Sequence, residues 1–257
     1  MEKIENPREK GLSKNQVLFW GLMFLLAGII SRGLLQNRVL QMGGLTGIQL
    51  LQLLSGSGSA MATATAALVM QALETCAIPI FAFFLVEGYE KSQSRKKLLL
   101  YLLIAAAASE IPYNYVMAGT FLHTASRNPA VATLIGVAVL YFFHRYSEKS
   151  VMNVLVRSAI GIAAVLWAVM LNVDHGPALL IVMMVMWTLR KKKHMLTLVG
   201  GVAAAACMLI SPFYIVSVMG VLPVHLCREE TSEDMKIFPY LSYPVLLLAV
   251  CLLSNFV

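Results

Sequence analysis

The chain has 257 residues, of which 59% are hydrophobic and only 13% charged. Soluble domains carry roughly 45–50% apolar and about 25% charged residues, so a water-soluble fold of this size is excluded. The net charge of +7 is expected to hold loops at an anionic membrane surface, with no role for nucleic acid.

Lipid offers the backbone no hydrogen bonds, so only helices and closed barrels cross it. The apolar runs here are continuous and lack the alternation of barrel strands. The expected fold is an all-α integral membrane protein, one transmembrane domain over 1–257, built as a bundle of about eight transmembrane helices. Residues 1–15 are polar and charged. The run after them, 17–35, is too long for a cleaved signal and is predicted to be a retained first span. Further spans are predicted at 70–89, 98–116, 129–143, 154–173 and 177–189, within 195–222, and at 238–256. The stretch 195–222 is long enough to hide a tilt, a break or a re-entrant piece. Between the first two spans, 36–69 mixes short apolar pieces with Gly and Ser. Two readings stand: a loop with an interfacial or partly inserted helix, or a longer second helix that takes in 60–72.

The basic residues test this order. With the N-terminus inside, the inner segments hold Lys3, Arg8, Lys10, Lys14, Lys91, Arg95, Lys96, Lys97, Arg145, Lys149, Arg157, Arg190, Lys191, Lys192 and Lys193. The outer ones hold Arg38, Arg127, Arg228 and Lys236. Fifteen against four is the bias expected of cytoplasmic loops. It predicts both termini in the cytoplasm and the acidic connection 227–236 outside.

The cysteines, Cys76, Cys207, Cys227 and Cys251, have neither metal-ligand spacing nor a disulfide pattern. There is no phosphate-binding Gly loop, HExxH or GxSxG. The chemistry must lie in polar residues at membrane depth, where a charge costs roughly 2.5–3.5 kcal/mol on insertion scales. Glu74 and Glu87 fall near the outer and inner ends of the second span. Glu110 and Asn114 share a face of the third, with Pro112 between them to kink it. His123, Arg127 and Asn128 precede the fourth. Asp174 and His175 occupy the turn after the fifth, and Arg32 caps the first. Each has a bland alternative: Arg32 as a snorkelling side chain, Glu87 as the partner of Lys91 at i,i+4, and the histidines His123, His144, His194 and His225 as interfacial residues. Asp174 beside His175 is the pair best suited to proton transfer near neutral pH.

Several segments carry a resemblance. IPIFAFFLVEGYEKS at 78–92, a basic turn, and ASEIPYN at 108–114 resemble the TraX family of bacterial membrane proteins. RNPAVATLIGVAVLY at 127–141, NVDHGP at 172–177 and KIFPYLSYP at 236–244 resemble further family elements. The resemblance implies a protein of the bacterial cytoplasmic membrane that is an acyltransferase. TraX proteins are associated with N-terminal acetylation of conjugative pilin, and acetyl-coenzyme A is the implied donor. The acceptor would be a peptide, pilin-like or glycan group at the outer face. Glu87, Glu110, Asn114, Asn128 and Asp174 stand at matching motif positions. Two departures are plain. The family's first span typically ends in Asp-His, where this chain has Ser31–Arg32. Its closing Tyr-Pro-x-His has Leu246 in the His slot.

With the family's Asp-His absent, His175 is expected to substitute as the base, with Asp174 and Glu110 beside it. Glu87, Asn114, Arg127, Asn128 and Arg32 would bind substrate. The alternative is a catalytically degenerate binding or assembly subunit, working with membrane lipids or a membrane-protein partner. A small-solute transporter ranks last, because no inverted repeat is evident.

Overall fold

In the computed structural model, which describes residues 11–42, 45–228 and 238–254, the first helix begins where its sequence supplies a cap. Ser13 Oγ accepts from Gln16 N, and Gln16 Oε1 accepts from Ser13 N. This capping box satisfies two of the amides left open at a helix start. Helix α1 (Lys14–Ile30) then continues as a π-helix, Ser31–Val39. Helix α2 (Gly47–Gly56) is capped by Thr46 in the same way. Its Ile48 and Leu51 are exposed, as an interfacial helix requires.

Helices α3 (Gly58–Glu74) and α4 (Ala77–Lys91) form one apolar span of 34 residues with a turn at Thr75–Cys76. The span starts at Gly58 rather than near 70, as the reading with a longer second helix through 60–72 expects. Composition hid it because α3 is built from small residues. Ala60, Ala64 and Ala67 form its buried face, and small side chains let helices approach closely in a membrane. Helix α5 (Arg95–Ala118) runs through Pro112. Helices α6 (Ala130–Arg145), α7 (Val151–Met170) and α8 (Gly176–Thr188) lie where the apolar runs predicted them.

The stretch predicted as one crossing, 195–222, is a hairpin. Helix α9 (Lys193–Ala206) ends in a 3-10 turn, Cys207–Leu209. A residue before proline is pushed out of the helical region, and Ser211, ahead of Pro212, is extended at φ −152 and ψ 135. The chain then returns through a 3-10 helix, Pro212–Gly220, and α10 (Val221–His225). The return brings His225 beside His194, with ring centroids 6.0 Å apart. Leu12 N donates to Leu226 O and Arg228 N to Leu12 O, each at 2.8 Å. Cys227 and Arg228 therefore lie at the end of the bundle where α1 starts, opposite to the side predicted for them. The rest of the predicted outer connection, 229–237, falls outside the described residues.

Helix α11 (Phe238–Leu253) packs Leu247 and Val250 against Ile29, Tyr113 and Val116. Tyr243 feels the charges of Asp174 and Arg32, and Cys251 that of Arg38. Helix α11 therefore runs in the same direction as α1, and its last described residues stand at the opposite end from Lys14. The termini themselves, 1–10 and 255–257, lie outside the described residues.

Among the described residues, four helical spans are long and apolar enough to cross a membrane, and five shorter apolar helices complete the bundle. The core lies around α4, α6 and α8, where Tyr89, Leu140, Leu180, Met183, Met186 and Trp187 are fully buried.

Candidate functional site

Ionisable side chains inside an apolar bundle must find partners, and four of them find one another. Arg32 donates from Nη1 to Asp174 Oδ2 and from Nη2 to Glu74 Oε1. His175 Nε2 lies 3.5 Å from Glu74 Oε2, 3.7 Å from Asp174 Oδ1 and 3.5 Å from Arg32 Nη2. On its other side, His175 Nδ1 is 2.9 Å from the Tyr214 hydroxyl. The Tyr113 hydroxyl lies 3.4 Å from Asp174 Oδ2 and 3.3 Å from Ser126 Oγ.

Irregular backbone places most of them. Arg32 stands in the π-helix after α1, and π turns are rare and frequent at functional sites. Glu74 ends α3 at the break before α4. Gly28 makes room for it, since a Cβ there would sit 2.0 Å from Glu74 Cδ. The break itself rests on the 3-10 helix. Thr75 Oγ1 donates to Phe213 O at 3.2 Å, and a Cβ on Gly220 would meet Cys76 O at 1.9 Å. Tyr214 projects from that same 3-10 helix.

Asp174 and His175 sit in a turn whose residues Asn172 and His175 have φ of 55 and 54. The left-handed region is costly for a residue such as His and persists only where surroundings enforce it. Here Arg127 N donates to Asn172 O at 2.8 Å and Asp174 N to Arg127 O at 2.9 Å, pinning the turn to the α5–α6 connection.

Glu74 is 3% exposed, while Arg32, Asp174 and His175 keep 15–19% of their side-chain surface open. The turn that holds Asp174 and His175 lies outside the helical spans. Burial favours a neutral Asp174, but Arg32 and then His175 override it and hold the carboxyl at about 2. Burial likewise disfavours a charged His175, yet Asp174 and then Glu74 raise it above the usual imidazole range. Arg32 thus lowers the basicity of a carboxylate and leaves the imidazole as the group that takes up and gives up a proton. Arg32 Nε is buried without a hydrogen bond, and Glu74 Oε2 faces His175 Nε2 at 3.5 Å.

The predicted site residues divide sharply. Arg32, Asp174 and His175 meet in the cluster. Glu110 lies beside it, 3.9 Å from Arg127 Nη1, and Arg127 contributes to the turn through its main chain. Asn128 is fully buried and serves the backbone, accepting from Ala130 N at 2.9 Å and donating to Ala106 O at 3.3 Å. Asn114 donates to Phe121 O at 3.2 Å. Glu87 sits at the far end, bound by Lys14 at 3.2 Å and Lys91 at 2.6 Å, as its bland alternative foresaw. Sequence reasoning named Glu74 without giving it a role, although a carboxylate inside an apolar run was signal enough. Tyr113 and Tyr214 were missed, because nothing in their local pattern points to a partner on another helix.

A family model described as TraX protein matches residues 50–254. The chain belongs to the TraX family. The TraX match takes in Glu74, Tyr113, Asp174, His175 and Tyr214. It begins beyond Arg32, so the cation that binds the cluster together stands outside the matched region. No curated protein and no solved structure matches the chain.

Proposed function

We propose that this TraX-family chain is a membrane acyltransferase that moves an acetyl group from acetyl-coenzyme A to an acceptor at the outer face of a bacterial cytoplasmic membrane. The observation that carries this reading is His175, held between Tyr214 and the carboxylates of Glu74 and Asp174 in a partly open site. The acceptor's N–H or O–H attacks the thioester carbonyl. The new C–N or C–O bond forms, the C–S bond breaks, and the acceptor's proton passes through His175 Nε2 to the coenzyme A thiolate. Glu74 and Asp174 stabilise the imidazolium that proton uptake creates, as an orienting carboxylate does in other acyl transfers. His175 thereby supplies a base where the family's first span typically has its Asp-His, since it lies against Arg32 at that place.

Orientation follows from charge. With Arg228 at the Lys14 end and Lys236 left uncounted because it falls outside the described residues, the basic residues stand sixteen against two, a stronger positive-inside bias. The N-terminus is then cytoplasmic, the last helix ends outside, and the cluster is near the outer face. Arg32 stands about 27 Å along α1 from Lys14 at 1.5 Å per residue.

The test uses inverted membrane vesicles that contain the full chain, given acetyl-coenzyme A labelled in the acetyl group. Label is expected to move into membrane-held acceptors in proportion to the protein. No binding and no transfer would overturn the proposal.

One observation favours a second reading. Arg32 already engages both carboxylates, and a self-neutralised cluster also suits a binding or assembly subunit. That role predicts co-purification of a stoichiometric membrane partner and full function in His175→Ala.

A further inference from the structure

Helix α7 buries little of itself: of its residues only Gly161, Ala164 and Ala168 are fully inside. Beside it, between α7 and α8 and bounded by Phe143 of α6, runs a groove of about 630 Å³. This lies within the range of pockets for small ligands, roughly 300–1,000 Å³. Its lining is sorted along its length. Ile162, Val165, Leu166 and Ile181 make an apolar trough, whereas Arg157, Ser158 and Thr188 gather at one end. That end is the basic one, next to Arg145 and Lys149 in the α6–α7 connection.

Arg157 is out of place for a helix facing lipid. It stands in the second turn of α7, and no carboxylate among the described residues pairs with it. Its Nε donates to Asn153 O at 3.3 Å, which draws the side chain back towards the start of α7 and the membrane surface. Gly161 keeps the two helices close beneath it, since a Cβ there would meet Met184 Sδ at 2.7 Å. A guanidinium at one end of an apolar trough matches a molecule with an anionic head and a hydrocarbon tail.

We propose that this groove is a specific site for an anionic phospholipid. One acyl chain lies along the trough of α7 and α8, and the phosphate pairs with Arg157. The site is separate from the Arg32–His175 cluster, and its occupancy does not depend on the chemistry there.

The test is native mass spectrometry of the full chain with phosphatidylglycerol or phosphatidylcholine of identical acyl chains. Wild type is expected to retain one phosphatidylglycerol about fivefold more strongly, the effect of one basic residue near a lipid surface. Arg157→Gln should abolish the preference and Arg157→Lys should keep most of it. Ile162→Trp, at an exposed position that fills the trough, should lower retention of both lipids. Equal retention of the two lipids by wild type overturns the proposal, as does an intact preference in Arg157→Gln. Unchanged retention in Ile162→Trp overturns the seating of the acyl chain.

Discussion

His175 Nε2 and Glu74 Oε2 lie 3.5 Å apart, although one residue belongs to the α7–α8 turn and the other ends α3. Arg32 bridges Glu74 to Asp174 from a third element. Breaking a buried ion pair by removing one partner leaves an uncompensated charge and typically costs 3–5 kcal/mol. Arg32→Gln strands two carboxylates and should lose about 3 kcal/mol, seen as a lower melting temperature in detergent. Adding Glu74→Gln to it should restore part of the loss. A double variant no more stable than the single one would show that the two residues do not act as a pair.

Gly28 admits the Glu74 carboxylate to α1. The methyl group of Gly28→Ala would overlap Glu74 Cδ, so α1 and α3 must separate or Glu74 must leave the cluster. Overpacking of this kind costs about 1–3 kcal/mol. Transfer should fall together with stability in this variant, whereas Gly58→Ala, with open space at its Cβ, should change neither.

The turn residues set the pH response. His175 is raised above its ordinary 6.5 in the folded protein. Its contribution to stability is complete below that value and disappears as pH rises through the folded pKa. Asp174 is lowered from 3.8 to about 2. Its contribution is complete above 3.8 and disappears as pH falls through 2. Thermal stability should therefore be greatest between about pH 4 and 6.5 and decline on the alkaline side. His175→Gln should flatten that alkaline decline. The transfer rate should move the other way, rising with pH as His175 loses its resting proton. A rate that falls over the same interval would argue against His175 as the base.

Much of the bundle was legible in the sequence, because apolar length and flanking basic residues are strong signals at α1 and α5 to α8. The extra pass at 195–222 was not. A hairpin whose return leg is 3-10 helix and a five-residue α10 is as apolar as a single tilted span, and the pairing of Leu12 with Leu226 and Arg228 and of His194 with His225 reveals it. For the early segment the sequence left two readings open, and the longer second helix taking in 60–72 is the one the structure shows; composition could not decide because Ala60, Ala64 and Ala67, which place α3, look like linker residues. In the site, Asp174 and His175 were found because their residue types announce proton chemistry. Asn114 and Asn128 bond backbone carbonyls in the structure, and in sequence a polar residue at depth that does so looks like one that holds a substrate.

The hairpin changes only the last helix, so the earlier alternation and the position of the cluster are unaffected. A protease site fused after Val257 should be cut from outside intact spheroplasts, and one fused before Met1 should be protected. Protection of both ends would restore the two-termini-inside arrangement and contradict the direction assigned to α11.

Acetyl transfer in His175→Ala, compared with wild type and with Glu87→Gln at the far end of the bundle, bears most directly on the role of the cluster. Positioned proton transfer contributes about 10²–10⁴-fold. The labelled-acetyl assay should show a loss of that size in His175→Ala and a rate near wild type in Glu87→Gln. Wild-type transfer by a folded His175→Ala protein would remove His175, and with it the proposed chemistry, from the reaction.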